Sequence, residues 1–393
     1  MAVRRGRHFL QIPGPANVPE RVLRALAQPT IDHRGPEFAR LTAEVLDGLR
    51  WIFRTSGAVV VYPSSGSGGW EASLVNTLSP GDRVLMCDSG HFATGWRNLA
   101  VKIGIDVECL ACDWRRGIDV AALRERLAAD GGGAIKAVAI VHNETSTGVT
   151  TPVVDVRSAI DAAGHEALLL VDAVSSLGSM EYRHDEWGVD VTIAGSQKGL
   201  MLPPGLGILA VSERARKASR SARMPRAYWD WEPMIRDNAA GVFPYTPSTN
   251  LLFGLREALA MLREEGLETA CARHARFAEA TRRAVRAWGL ELFCLDPARY
   301  SDSMTAVQMP PGQDADSLRR VVLERFDMSL GTGLGKLKGQ VFRVGHLGDF
   351  NDLMLTGTLA GIEMGLKIAG VPCASSGITA ALEYLAGAAT PAG

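Results

Sequence analysis

Asp172 and Lys198 are the residues whose types and surroundings could do chemistry. Asp172 closes a short apolar run, Leu168-Leu169-Leu170-Val171-Asp172. That pattern suits a strand buried on both faces with an acid at its C-terminal edge. Lys198 follows Val191-Thr192-Ile193-Ala194 and lies in Gly195-Ser196-Gln197-Lys198-Gly199. Small neighbours there leave room for something large beside the amine. An aspartate and a lysine held this way suit pyridoxal phosphate. The lysine takes the aldehyde as a Schiff base, and the acid keeps the pyridine nitrogen protonated so that the ring can take up electrons from a substrate Cα. Alone, each is most often a surface lysine or a capping aspartate. The pair at two strand ends argues against that reading.

A third feature lies upstream. Pro63-Ser64-Ser65-Gly66-Ser67-Gly68-Gly69 follows a strand at Ala58–Tyr62 and precedes a helix expected from Trp70 to Leu78. Free amides and hydroxyls at a helix start form an anion site. No lysine follows in P-loop spacing, so a nucleoside triphosphate is not indicated. By itself such a turn is as readily structural; with Asp172 and Lys198 downstream, a single phosphate monoester on a cofactor is the better reading. Arg343 lies inside an apolar strand, Val341-Phe342-Arg343-Val344. A buried cation needs an anionic partner, and the local pattern leaves open a structural salt bridge or a substrate carboxylate.

The elements that must position these groups alternate. Strands at Val84–Cys87, around Val107, at Ala137–Val141 and at Gly207–Val211 are interleaved with helices at Gly90–Lys102, Val120–Ala129 and Val154–Ala163. This is an α/β pattern with a largely parallel sheet. In such sheets ligands sit at the carboxyl ends of strands, where the Gly/Ser turn, Glu144-Thr145, Asp172 and Lys198 all fall. Residues 1–20 lack periodicity and hold Pro13-Gly14-Pro15, so they read as an irregular arm that crosses the surface or lines a site. A large lobe is expected over 21–259 and a smaller α+β lobe over 260–393. His33 and Arg34 precede a helix running from Pro36 to about Phe53. The stretch 227–249, with Tyr228, Trp229 and Trp231, reads as a long irregular loop, functional or at an interface.

Composition narrows the class. The 393 residues carry a formal net charge of −1 with no long basic run, against nucleic-acid binding. No apolar stretch is long enough to span a membrane, and Met1-Ala2-Val3-Arg4-Arg5 is not followed by an apolar segment. A cytoplasmic protein is the expectation. Among six cysteines, Cys109 and Cys112 form one CxxC without a second pair, and the eight histidines show no HxxxH spacing. Buried thiols and no metal are expected.

Taken together, Pro13-Gly14-Pro15-Ala16-Asn17, Ser65-Gly66-Ser67-Gly68-Gly69, Asn143-Glu144-Thr145-Ser146-Thr147-Gly148, Val171-Asp172-Ala173-Val174-Ser175-Ser176, Gly195-Ser196-Gln197-Lys198-Gly199 and Phe342-Arg343-Val344-Gly345-His346 resemble the class V aminotransferases of pyridoxal-phosphate fold type I. The likeness is greatest to the branch that uses serine or alanine with glyoxylate. The resemblance implies that Lys198 is the Schiff-base lysine and Asp172 the pyridinium partner. It implies Ser67, Gly68, Gly69 and Gln197 at the phosphate, Thr145 at the ring hydroxyl and Val174 beneath the ring. Phe92 would stack on the other face, where many relatives carry Trp. The family implies a homodimer in which Thr246 reaches the other subunit's phosphate. Phe243 stands where some relatives have Tyr, so that hydroxyl contact is missing or made by Tyr245. Arg343 would clamp the substrate α-carboxylate in a bidentate pair. His33 and Arg34 would enter the neighbouring site, with Arg34 reading the donor side chain.

The implied reaction moves an amino group from a small L-amino acid, serine favoured, to glyoxylate, giving glycine and a 2-keto acid. Aspartate, alanine or ureidoglycine are rival donors. A lyase of the cysteine desulfurase type would need a cysteine ahead of the Arg343 strand, and 329–340 has none. A cofactor-free descendant of the fold would not need Asp172, Lys198 and the Gly/Ser turn together.

Overall fold

Runs such as Val59-Val60-Val61 and Leu168-Leu169-Leu170-Val171 are apolar at consecutive positions, so both faces of each strand must be covered. A computed structural model, describing residues 6–374 and 376–387, shows how. The basic Met1–Arg5 stretch lies outside the described residues. In chain order the strands are β1 (Phe9–Gln11), β2 (Ala58–Pro63), β3 (Arg83–Asp88), β4 (Asp106–Ala111), β5 (Ile135–Val141), a small hairpin of β6 (Asn143–Glu144) and β7 (Val149–Thr150), β8 (Leu168–Asp172), β9 (Val191–Gly195) and β10 (Leu206–Val211). Later come β11 (Glu291–Leu292), β12 (Met304–Gln308), β13 (Met328–Thr332) and β14 (Val341–Gly345).

A seven-stranded sheet has the order β2-β10-β9-β8-β5-β3-β4. Strand β10 is antiparallel to β2 and β9; the other pairings are parallel. Asp172 ends β8, with Val141 beside it on β5 and Ile193 on β9. Three strand ends therefore converge on one edge. A five-stranded sheet has the order β1-β13-β14-β12-β11. One buried apolar cluster runs from Val22 to Ala270 and a second from Phe277 to Leu385. Helix Leu267–Ala287 contributes to both.

Four expectations need correction. The arm is not irregular throughout, because Phe9–Gln11 pairs parallel with β13 in the second sheet. The helix expected at Trp70 begins at Gly66 and ends at Thr77, so the Gly/Ser segment is its first turn. Close packing explains the glycine there: a Cβ on Gly69 would stand 2.6 Å from Ile193 Cγ2. The stretch 227–249 is not one loop, because it holds helix Trp231–Ala239, whose N-terminus Asp230 caps. Pro233 obscures that helix in the sequence but is harmless in its first turn. Strand β13 was not anticipated; Ser329 and Gly331 dilute its apolar pattern. Among the described residues no helix is long and apolar enough to cross a membrane, and no group of three or more His, Cys, Asp or Glu is arranged to hold a metal ion.

Candidate active site

The converging strand ends enclose a cavity of about 240 Å³. Ser67, Phe92, Thr145, Asp172, Val174, Gln197 and Lys198 line it, with Gly14, Gly66, Trp70, Asn143 and Ser175. Six separate segments of sequence meet here, because the parallel strands deliver their C-terminal loops to one edge and the N-terminal arm brings Gly14 against it.

Asp172 is held from two sides. Val174 N–H donates to Oδ1 at 2.8 Å and Trp70 Nε1–H to Oδ2 at 2.7 Å. Burial pushes its carboxyl up to about 6, helped by the nearby Glu144 charge and opposed by those two donors. Lys198 Nζ donates to the carbonyl oxygen of Pro13, so the arm covers the amine. Burial, then the Arg343 charge, lower Lys198 to about 8, with Asp172 opposing. Gly14 lies so close that a Cβ there would stand 2.3 Å from Lys198 Nζ.

Arg343 stands behind Thr145. Its Nη1 donates to Thr145 O at 2.8 Å and its Nε to Thr332 O at 2.7 Å. Only 7 % of the residue is exposed, yet among the described residues it makes no ion pair. Two carbonyls fix its plane and leave its charge uncompensated at short range. Burial lowers it to about 10, and Glu144 partly restores it.

Two buried acceptors in this region have no partner among the described residues, Gln197 Oε1 and Asn143 Oδ1. Asn143 Nδ2 donates to Ser175 Oγ at 2.9 Å and Ser303 Oγ at 2.7 Å, which turns the carbonyl elsewhere. Buried polar atoms without partners are uncommon, so both mark where a polar ligand belongs.

The remaining expected residues lie off this cavity. Gly68 and Gly69 follow Ser67 in the helix without lining it, and a Cβ on Gly68 would meet Ser64 Oγ at 1.9 Å. Thr246 is exposed. Phe243 is buried against Phe38, ring centroids 5.8 Å apart. Arg34 is exposed, and its Nη1 lies 2.7 Å from His33 Nε2. The chain does not bring His33, Arg34 or Thr246 to its own cavity. Sequence reasoning passed over Trp70 and Asn143 as site residues. In the sequence Trp70 marks only the start of a helix, and Asn143 beside Glu144-Thr145 carries no signal of its own.

A family model described as Aminotransferase class-V matches residues 8–334. The chain belongs to the class-V aminotransferases. It is 48% identical over 389 residues to a serine–glyoxylate aminotransferase of Methylorubrum extorquens, covering 97% of each chain. It is 45% identical over 375 residues to an L-aspartate–glyoxylate aminotransferase of Paracoccus denitrificans, covering 95% of each. The structure of a ureidoglycine–glyoxylate aminotransferase from Bacillus subtilis superposes with a TM-score of 0.89 at 28% identity, covering 98% of this chain and 100% of that one.

This class-V aminotransferase has the pyridoxal-phosphate fold type I, a large mostly parallel sheet with a smaller second sheet. Pyridoxal phosphate is its cofactor, and the residues present fit that group. A buried lysine with a lowered pKa faces an aspartate anchored at both oxygens. Orphaned acceptors stand beside them, and a helix N-terminus carries Ser67 at the cavity wall. At Gly66 a Cβ would come 2.6 Å from Val174 Cγ2, so the bare backbone keeps that wall open.

Proposed function

We propose that the enzyme transfers the amino group of a small L-amino acid, serine favoured, to glyoxylate, giving glycine and a 2-keto acid. The observation that carries this reading is Arg343: a buried guanidinium, oriented by two carbonyls and with no carboxylate paired to it among the described residues. Donor and acceptor both bring one. The relatives' activities support glyoxylate as acceptor, and the higher identity to a serine–glyoxylate enzyme supports serine.

When bound, pyridoxal phosphate supplies an aldehyde for the donor amine and a ring that takes up the electron pair released at Cα. Lys198 and Asp172 are the catalytic residues of the proposal. Lys198 Nζ, freed from Pro13 O, would take the proton from the donor Cα as general base and, as general acid, deliver it to the carbon that carried the cofactor's aldehyde. Asp172 pairs with the ring nitrogen, its carboxylate pinned by Trp70 and Val174 N–H. Ser67 and Gln197, with Gly68 and Gly69 following Ser67 in the same helix turn, would hold the phosphate; Thr145 would meet the ring hydroxyl, and Val174 and Phe92 would flank the ring. Arg343 orients the substrate carboxylate.

A homodimer completes the proposal. Thr246 on its exposed segment reaches the partner's phosphate. The contact that Phe243 lacks is made by Tyr245, a reading supported by its Oη, which is buried and without a hydrogen-bond partner among the described residues. His33 and Arg34 enter the partner's site, where Arg34 reads the donor side chain. We divide the chain functionally into the arm 1–20, a cofactor-binding lobe 21–259 and a second lobe 260–393. Six free thiols support a reducing, cytoplasmic setting.

One observation favours a second donor. Arg34 makes no ion pair among the described residues, so its cation is available to an aspartate side chain. Single-turnover spectra with serine, alanine and aspartate separate the readings. Fast loss of the aldehyde form with serine and slow loss with aspartate supports serine; the reverse order moves the enzyme to the aspartate branch.

A further inference from the structure

Glu144 is a buried carboxylate to which the reaction gives no task. It is 1 % exposed, and among the described residues no lysine or arginine lies within ion-pair distance. Such a group is tolerated only when donors satisfy its oxygens. Four do. Ser146 N–H and Oγ–H donate to Oε1 at 3.0 and 2.6 Å. Phe92 N–H and Ala93 N–H donate to Oε2, both at 3.1 Å.

Those two amides open helix His91–Lys102. Ser146 Oγ accepts from His91 N–H at 2.9 Å, so Glu144 and Ser146 together cap the first three amides. A negative charge at that positive helix end is favourable. Gly90, before the helix, offers no side-chain cap, and a Cβ on it would stand 2.3 Å from Glu144 Cγ. The carboxylate is therefore fitted against bare backbone. Phe92, the second residue of this helix, lines the cofactor cavity. On the other side, the next residue in the chain, Thr145, gives its carbonyl to Arg343.

We propose that Glu144 is a positioning residue: one buried carboxylate that fixes both the aromatic wall at Phe92 and, through Thr145, the guanidinium of Arg343. The cofactor's stacking surface and the substrate's carboxylate clamp are thereby held in one frame. The plain alternative is a helix cap that serves stability alone. Its charge also acts on the site, raising both Arg343 and Asp172.

The inference rests on the cofactor reading but not on the identity of the donor. The test is Glu144→Gln, which keeps the shape but cannot accept at both ends. Apoprotein is titrated with pyridoxal phosphate by visible absorbance, KM is measured for donor and acceptor, and thermal midpoint is recorded. We expect cofactor affinity to fall about tenfold, the worth of roughly one to two lost hydrogen bonds, and both KM values to rise together. A lowered thermal midpoint with unchanged cofactor affinity and KM would reduce Glu144 to a structural cap and overturn the proposal. If Glu144→Gln does not fold, Glu144→Asp, which withdraws the carboxylate by one methylene, is read by the same criteria. Wild-type apoprotein that failed to take up pyridoxal phosphate would instead count against the cofactor reading.

Discussion

Trp70 Nε1 lies 2.7 Å from Asp172 Oδ2, and the indole stacks on Trp96 with ring centroids 6.0 Å apart. The helix that begins at Gly66 thus supplies, one turn in, the donor that holds the carboxylate ending β8. With Val174 N–H on the other oxygen, Asp172 is oriented before any ligand arrives. Such preorganisation is what a group needs if it is to stabilise charge without reorganising.

The donor from Trp70 favours the charged form of Asp172, which burial pushes up to about 6. Removing it in Trp70→Phe raises that value further. The pH below which the bound cofactor's spectrum changes should move upward, while the remaining Val174 contact keeps the carboxylate in place. Spectral titration of the purified variant checks this; an acid limb identical to wild type would mean that the indole only fills space.

Lys198 carries a second titration. Burial and Arg343 lower it to about 8, and only the neutral amine attacks an aldehyde. Cofactor capture by apoprotein should therefore speed up as pH rises through about 8 and then level off. Arg343→Ala removes a charge that lowers the lysine, so its midpoint shifts to higher pH. Lys198→Ala should fold normally and lose turnover by roughly 10³-fold or more. Stopped-flow absorbance and steady-state assays read both; appreciable turnover in Lys198→Ala would unseat the lysine.

Much of this site was legible in the sequence for a physical reason. Strand ends such as Asp172 and the Lys198 turn are fixed by the apolar runs before them, and a parallel sheet sends those ends to one edge. What stayed hidden depended on packing between distant segments. Nothing local in Trp70 announces that its N–H meets Asp172, 102 residues away. Nothing in Pro13 announces that its carbonyl accepts from Lys198. The parallel pairing of β1 with β13 was equally invisible, because three residues carry too little periodicity to read. Arg343 is legible in the sequence only as a dilemma; the geometry gives it two carbonyls and, among the described residues, no acid within ion-pair distance.

In the proposed reaction both substrates bring a carboxylate to the same guanidinium, so Arg343→Ala should raise KM for donor and acceptor alike. A charge-assisted pair is worth about 1.5–3 kcal/mol, so each KM should rise roughly 10- to 100-fold. The rise should be larger than any fall in kcat. Steady-state kinetics with each substrate varied in turn is the check. A change confined to one substrate would move the shared clamp elsewhere.

The arm offers the last test. Gly14 sits at φ +110°, a region that side chains rarely adopt, and a Cβ there would meet Lys198 at Nζ, Cδ and Cε within 2.6 Å. Gly14→Ala therefore acts twice. It strains the arm by about 1–2 kcal/mol, and it forces either the arm or the lysine out of place. The arm is itself pinned on both sides, since Ala16 N–H donates to Gln197 O at 2.9 Å and β1 pairs with β13. The lysine is the softer of the two and should move. Cofactor capture should then slow markedly while the thermal midpoint falls by only a few degrees. Capture at the wild-type rate would show that the arm yields instead, and that Pro13 and Gly14 cover Lys198 without constraining it.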